Sequence, residues 1–276
     1  MNNIKLIATD LDGTLLNDLG EISTFTKTVI NQMLKLGYII VPTTARSYKE
    51  LPESLLETDL NYYICSNGAI IWDKNQNLIV SSHLLPTTIA QEILLATSSA
   101  SKVTTVVQQG VVYSEQSIRD LFVEYGLDSN LIQLILSKRT LVPSVDPILA
   151  NFETIDKLHF NLKDENSRDE CLKLVPVSEE YTITSSDPDN IEITNKMATK
   201  GETVKELSKL LEIDSTAIMA IGDNMNDIPL FDVASIKVAM KNGKELLKEK
   251  ADFITKYTNE EDGVAKFIQT NFINKI

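Results

Sequence analysis

Cysteine is scarce in this chain, and the two present, Cys65 and Cys171, exclude a disulfide framework and fit a reducing compartment. Glycine and proline are also few, ten and eight in 276 residues, which excludes collagen-like and linker-dominated chains. Long apolar runs are missing too: stretches such as Ile39 to Val41 end far short of the ~20 residues of a membrane helix. The opening segment, Met1 to Asp10, meets an acid before the roughly 7 to 15 apolar residues of a secretory signal can form. A cytoplasmic location with no membrane partner is therefore expected. Positive charge is in deficit. The 26 basic residues against 39 acidic ones leave a net charge of −13, which repels polyanions and argues against a nucleic-acid partner. A small anionic substrate stays compatible, because a metal ion or a few cations reverse the field inside one pocket. The two histidines, His83 and His159, are far apart and lack the Cys or His neighbours of a zinc site.

The composition that remains, 43% hydrophobic and 24% charged, is globular, and the length suits one large domain or two at roughly 100 to 200 residues each. The first 72 residues alternate in type. Ile4 to Ala8 reads as a buried strand, Ser23 to Leu36 as a helix with Ser23 as N-cap and Gly37 just past its end, and Tyr38 to Thr43 as the next strand. That is a parallel βαβ unit. Tyr62 to Cys65 is a further strand, and Ile70 to Trp72 with Leu78 to Ser81 form a hairpin. From His83 to Ser186 the texture changes to helices near 86–100, 118–125 and 165–174 between alternating strands, an α+β pattern. After it, Ile191 to Thr194, Lys200 to Leu211, Thr216 to Ile221 and Ile236 to Met240 resume the α/β alternation, with an edge strand at Phe253 to Thr255 and a helix from Glu261 to Thr270. The expected architecture is an α/β core over 1–82 and 187–276 with a parallel sheet, interrupted by an inserted α+β domain over 83–186. Cys65, Trp72, Phe25 and Tyr38 read as packing residues.

Chemistry concentrates at the expected strand ends. Asp10-Leu11-Asp12-Gly13-Thr14 follows the first buried strand, at the carboxyl edge where open α/β sheets bind ligands. Acids at spacing two on an extended chain point the same way, and a cation with oxygen ligands relieves their repulsion. The plainer alternative is a pair of acids capping a loop. A calcium loop fails, because Leu15 stands where that loop needs glycine. Gly222-Asp223-Asn224-Met225-Asn226-Asp227 follows another apolar strand and offers Asp223 as a further metal oxygen, or a helix N-cap. Thr43-Thr44-Ala45-Arg46 brings a hydroxyl, backbone N–H groups and a cation to the same edge, groups suited to phosphate. Lys200, at a helix start, is well placed for an anion, although a lone lysine there is commonly solvated surface.

Together these segments resemble the haloacid dehalogenase superfamily, and the insertion between the second and third motifs resembles its Cof-type phosphatases. The resemblance implies a Rossmann-like core with an α+β cap that reads the leaving group, and Mg²⁺ as cofactor. It implies that Asp10 is the nucleophile that becomes an aspartyl phosphate and that Asp12 is the general acid and base. Thr44 and Lys200 would complete the catalytic set. Leu11, Thr44, Ala45, Arg46, Asn67, Lys200 and Asn226 would line the phosphate, the metal would sit on Asp10, Asp12 and Asp223, and Asn226 with Asp227 would support it.

Two departures stand out. The usual glycine of the second motif is Ala45, whose methyl narrows the room beside the phosphate, and Asn195 to Thr199 before Lys200 is atypical. Asn67-Gly68-Ala69 matches a turn these proteins carry near the site and equally an ordinary β-turn. The expected function is Mg²⁺-dependent hydrolysis of small phosphate monoesters, sugar phosphates or phosphorylated cofactors, by a monomer or small homo-oligomer. A phosphosugar mutase and a noncatalytic phosphometabolite-binding protein are the alternatives.

Overall fold

The computed structural model describes residues 3–274. Two compact units make up the chain: Met1–Arg46, Leu51–Ser82 and Thr199–Ile276 form the first, and Ser47–Glu50 with His83–Ala198 the second.

The first unit is built on a five-stranded parallel sheet in the order Phe253–Ile254, Ile236–Ala239, Ile218–Gly222, Leu6–Thr9, Ile39–Pro42. Its central strands are apolar throughout because both faces are covered, as parallel sheets require. Leu6, Ile7 and Ala8 are fully buried, as are Ile218 to Ile221. The helix Thr24–Lys35 makes the first crossover, and Ser23 caps it by accepting from the Thr26 N–H at 3.0 Å. The helix Lys200–Leu210 packs Val204 and Leu207 against Leu6, Ala8, Val41, Ile64 and Ala220. Leaving Leu6–Thr9 the chain crosses to Ile39–Pro42 on one side, whereas Ile218–Gly222 lies on the other. The strand order therefore reverses between Leu6–Thr9 and Ile218–Gly222, which opens a crevice at their carboxyl ends. Tyr62–Cys65, Ile70–Asp73 and Leu78–Ser82 form a small antiparallel sheet that includes the expected hairpin. The α/β fold class with a parallel sheet is borne out.

The second unit carries a six-stranded sheet in the order Tyr181–Thr184, Asn190–Asn195, Lys157–Asn161, Val103–Gln108, Val111–Glu115, Thr140–Val142. The helices Thr87–Ala96, Asp146–Asn151 and Glu165–Leu172 cover its Val106, Leu158, Phe160, Ile191 and Ile193 with Ala90, Ile93, Leu149 and Cys171. Its boundaries correct the sequence expectation. Residues 187–198 belong to this unit and not to the core, because Asn190–Asn195 pairs antiparallel with Lys157–Asn161 and Tyr181–Thr184. Ile191 and Ile193 alternate with Glu192 and Thr194, the period of an antiparallel strand with one apolar face, unlike the uniformly apolar core strands. Ser47–Glu50 also joins it: Ser47 Oγ donates to Gly110 O at 2.5 Å and Tyr48 OH to Gln109 O at 2.7 Å. The helix Ser129–Ser137, the helix Asp146–Asn151 and the strand Thr140–Val142 have no counterpart in the sequence reading. Among the described residues no helix is long and apolar enough to cross a membrane.

Candidate active site

Parallel strands end together, so the segments after Leu6–Thr9, Ile39–Pro42 and Ile218–Gly222 meet at one edge of the first unit's sheet. Asp10 leaves its strand with its N–H donating to Ile221 O at 2.9 Å, and the residue is buried, at 5% exposure. Lys200 is buried as well, at 2%. Its Nζ donates to Asp10 Oδ1 and to Asp227 Oδ1, each at 2.7 Å, so the surface reading of this lysine is wrong. Thr199 caps the helix by accepting from Glu202 N–H at 3.1 Å, which fixes Lys200 at its first turn.

Asp223 and Asp227 come from the loop after Ile218–Gly222. Asn224 caps a short turn, and that turn folds Asp227 back so that its Oδ2 accepts from the N–H groups of Asp223 and Asn224 at 3.0 and 3.1 Å. Carboxylate oxygens of Asp10, Asp223 and Asp227 lie within 4.8 Å of one another. Thr14 Oγ1 donates to Asp223 Oδ1 at 2.7 Å. Gly13 sits at φ +75°, and a Cβ there would stand 2.6 Å from Asp223 Oδ2, so both the turn and the close approach require glycine.

The electrostatics follow from burial. Desolvation, reinforced by Asp227 and only partly opposed by Lys200, raises the Asp10 pKa well above the carboxylate range. Asp223 is pushed up to about 6, first by burial and then by Asp227. Burial pulls Lys200 down, but the Asp10 and Asp227 charges outweigh it and hold the ammonium above its ordinary value. Three carboxylates against one ammonium leave an excess of negative charge out of water, a costly arrangement unless a cation shares it. The donor set contains oxygen and no sulfur or imidazole, which suits a hard divalent ion. Asn226, next in sequence to Asp227, has a buried Oδ1 with no hydrogen-bond partner, a further oxygen donor in the same turn. The residues present fit a metal ion.

Asp12 departs from the expectation. Its carboxylate is outside the cluster and 55% exposed, held by Arg46 through Nε at 2.8 Å and Nη2 at 2.5 Å. The spacing-two argument presumed extended backbone, whereas the chain winds into a single turn over Leu11–Leu15 with Gly13 left-handed. Asp227, expected only as support, takes its place in the cluster. Leu11 is fully buried. Thr44 is buried, its Oγ1 accepts from Arg46 N–H at 3.1 Å, and its carbonyl accepts from Asn67 N–H at 3.0 Å. Ala45 is not among the residues with positive φ, so an alanine there imposes no backbone strain. The turn Ser66-Asn67-Gly68 is not ordinary: φ is +51°, +57° and +104° in succession. A Cβ on Gly68 would stand 2.5 Å from Thr199 O, and Gly68 O accepts from Thr203 Oγ1 at 2.8 Å. The turn thus joins the Thr44 segment to the helix that carries Lys200. Thr14 lies inside the first motif and Asn242, whose Nδ2 donates to Gly13 O at 2.7 Å, lies in no recognised motif, so sequence reasoning gave neither a role.

A sheet-edge crevice with buried acids and a lysine is the kind of site that handles a phosphoryl group, and the relatives agree. The sequence profile of the haloacid dehalogenase-like hydrolases matches residues 7–268, and the chain belongs to that family. It is a hydrolase of the phosphoric monoester class. The chain is 33% identical over 270 residues to the 5-amino-6-(5-phospho-D-ribitylamino)uracil phosphatase YcsE of Bacillus subtilis, covering 97% of this chain and 95% of that protein. A solved haloacid dehalogenase-like hydrolase from B. subtilis matches with a TM-score of 0.84 at 26% identity, over 98% of this chain and 100% of that one. The sugar phosphatase BT4131 of subclass IIB shares the fold, with a TM-score of 0.78 at 22% identity over 96% of this chain and 98% of that one. The family expected from the motifs is borne out.

Proposed function

We propose that the protein is a Mg²⁺-dependent phosphatase of small phosphate monoesters, such as sugar phosphates or phosphorylated cofactors, that works through an aspartyl phosphate on Asp10. The observation that carries this reading is the buried cluster of Asp10, Asp223 and Asp227 around Lys200 Nζ at the switch point of the sheet. Asp10 and Asp223, with the Asn226 amide oxygen, would hold Mg²⁺, which when bound would neutralise charge on the phosphoryl oxygens and keep the acids ionised.

Each side chain then has a task. Asp10, ionised, attacks phosphorus and splits one displacement into two. Lys200 spends two of its three N–H bonds on Asp10 and Asp227, and the third is available to a phosphoryl oxygen. The Thr44 hydroxyl accepts from Arg46 N–H, so its own proton can donate to a second oxygen. Leu11, Ala45, Arg46 and Asn67 complete the phosphate surroundings. Asp12 protonates the leaving alkoxide and then deprotonates the water, which requires its carboxylate to leave Arg46. The second unit acts as a cap that reads the leaving group, and the enzyme works in the cytoplasm as a monomer or small homo-oligomer on a phosphorylated metabolite.

The test is inorganic phosphate release, with Mg²⁺ or with EDTA, from a panel that includes hexose phosphates, pyridoxal phosphate and 5-amino-6-(5-phospho-D-ribitylamino)uracil. The last is included because a 33% identical relative bears its name. Metal-dependent release that falls about 10⁴-fold or more in Asp10→Asn supports the reading. Equal release from both proteins refutes the nucleophile, and silence of the wild type over the panel moves the mutase ahead.

A further inference from the structure

The loop that follows Ile236–Ala239 touches both carboxylate-bearing segments of the first unit. Met240 N–H donates to Gly222 O at 2.9 Å, and Lys244 N–H donates to Asp223 O at 2.8 Å, so the loop is anchored to the backbone that presents Asp223. Gly243 lies against the same residue: a Cβ there would stand 3.0 Å from Asp223 O. On its other side Asn242 Nδ2 donates to Gly13 O at 2.7 Å. The amide is itself oriented, because Asn242 Oδ1 accepts from Asn259 N–H at 3.2 Å. Asn259 is buried, and its Nδ2 donates to Leu16 O and Asp18 Oδ1, both at 3.1 Å, so the far end of the Asp10 loop is held from the same place.

The Gly13 peptide is where this matters. It lies between Asp12 and Thr14, and Thr14 Oγ1 holds Asp223 Oδ1. Its left-handed φ leaves the carbonyl outside any strand or regular helix, and the Asn242 side chain supplies its donor. The Asn242 amide both accepts from Asn259 N–H and donates to Gly13 O, whereas a carboxylate of the same shape keeps the acceptor and loses the donor.

We propose that Asn242 is a positioning residue of the active site: it pins the Gly13 peptide to a loop that is hydrogen-bonded to Asp223's backbone and so fixes the spacing between Asp10 and Asp223. The proposal rests on the phosphatase reading given above. Asn242 touches neither carboxylate and acts through the two loops. It is exposed, so its removal leaves the core intact.

The experiment compares full-length wild type, Asn242→Asp and Asn242→Ala, using p-nitrophenyl phosphate with MgCl₂, thermal unfolding, and calorimetric titration of Mg²⁺ into the substrate-free protein. A misplacement of catalytic groups by a fraction of an ångström predicts that kcat falls about tenfold or more in both variants. KM stays within about twofold, because ground-state binding is not what is lost. Mg²⁺ binds several-fold more weakly to both, and Tm moves by no more than ~2 °C. The isosteric aspartate is the discriminating variant: kcat and Mg²⁺ affinity within about twofold of wild type overturn the proposal. So does an activity loss that merely follows a falling Tm. If the wild type releases no phosphate, the phosphatase reading fails by itself, and the Mg²⁺ titration still decides on Asn242: weaker binding supports the role and equal binding overturns it. A wild type that neither turns over nor binds Mg²⁺ overturns both.

Discussion

Each of the two units buries charge on its sheet, yet the two buried groups differ in their balance. In the first, Asp10, Asp223 and Asp227 surround a single Lys200. In the second, Lys157 and Glu192 pair one to one on neighbouring strands, 5% and 1% exposed, and Arg139 faces Glu50 at 3.8 Å. His159, beside that pair, is pushed down to about 3 by burial and stays neutral, so it adds no charge. Burial of ions is therefore common to both and distinguishes nothing. Imbalance does: a one-to-one pair is complete, whereas an excess of carboxylate calls for a ligand of opposite charge.

The largest test of this contrast breaks both lysines. Lys200→Met removes the ammonium from the acids and from the phosphoryl oxygen, and kcat should fall about 10² to 10³-fold. Adding Asp227→Leu to Lys200→Met should recover no activity. Lys157→Met removes the ammonium from the buried Glu192 carboxylate, and should cost roughly 3 to 5 kcal/mol of stability in denaturant unfolding. There the double variant Lys157→Met with Glu192→Leu should restore most of that stability, because the pair is replaceable by apolar packing. If the second unit's double variant recovers nothing, its pair is as functional as the first unit's and the contrast is lost.

The next effect is on pH dependence, where the two units should have opposite signs. Asp223 is raised from 3.8 to about 6 in the folded, metal-free protein. A raised folded pKa means stability that is complete below the unfolded value and is lost as pH rises through the folded one. His159 is lowered from 6.5 to about 3, so its contribution is present above 6.5 and is lost as pH falls. In EDTA, Asp223→Asn should therefore match wild type near pH 4 and gain on it by on the order of 3 kcal/mol by pH 7. Asp10, raised in the same direction, adds to the wild type's loss. Mg²⁺ should cancel the gain. Chemical unfolding of both proteins across pH 4 to 8 reads it, and a flat difference in EDTA would mean that the carboxylates are not in conflict.

The same comparison separates what the sequence made legible from what it did not. Asp10, Lys200 and Asp223 were readable because each follows or opens a regular element whose apolar pattern is local. The direction of Asp12 was not, since it depends on the turn at Leu11–Leu15 and on an arginine 34 positions away. Asp227 was assigned to support because nothing local shows that a capped turn returns its carboxylate to Lys200. The second unit was harder still. Asn190–Asn195 alternates clearly, but its partners Tyr181–Thr184 and Lys157–Asn161 are chosen by long-range pairing, and Ser47–Glu50 joins the unit through contacts more than 60 residues away.

The smallest expected effect concerns Ala45, the position that departs most visibly from the family's motif. Its neighbours are fixed from outside: Thr44 N–H donates to Ile64 O at 2.8 Å, and Arg46 O accepts from Ser66 N–H at 2.8 Å. Ala45 has no positive φ to relieve, so Ala45→Gly changes no native geometry and mainly loosens the unfolded chain. Stability should fall by about 0.5 to 1 kcal/mol, and kcat/KM on the best substrate should stay within about threefold. A marked rise in kcat/KM would show instead that the methyl crowds the phosphate, and the first unit would then carry a steric constraint on its substrate as well as an electrostatic one.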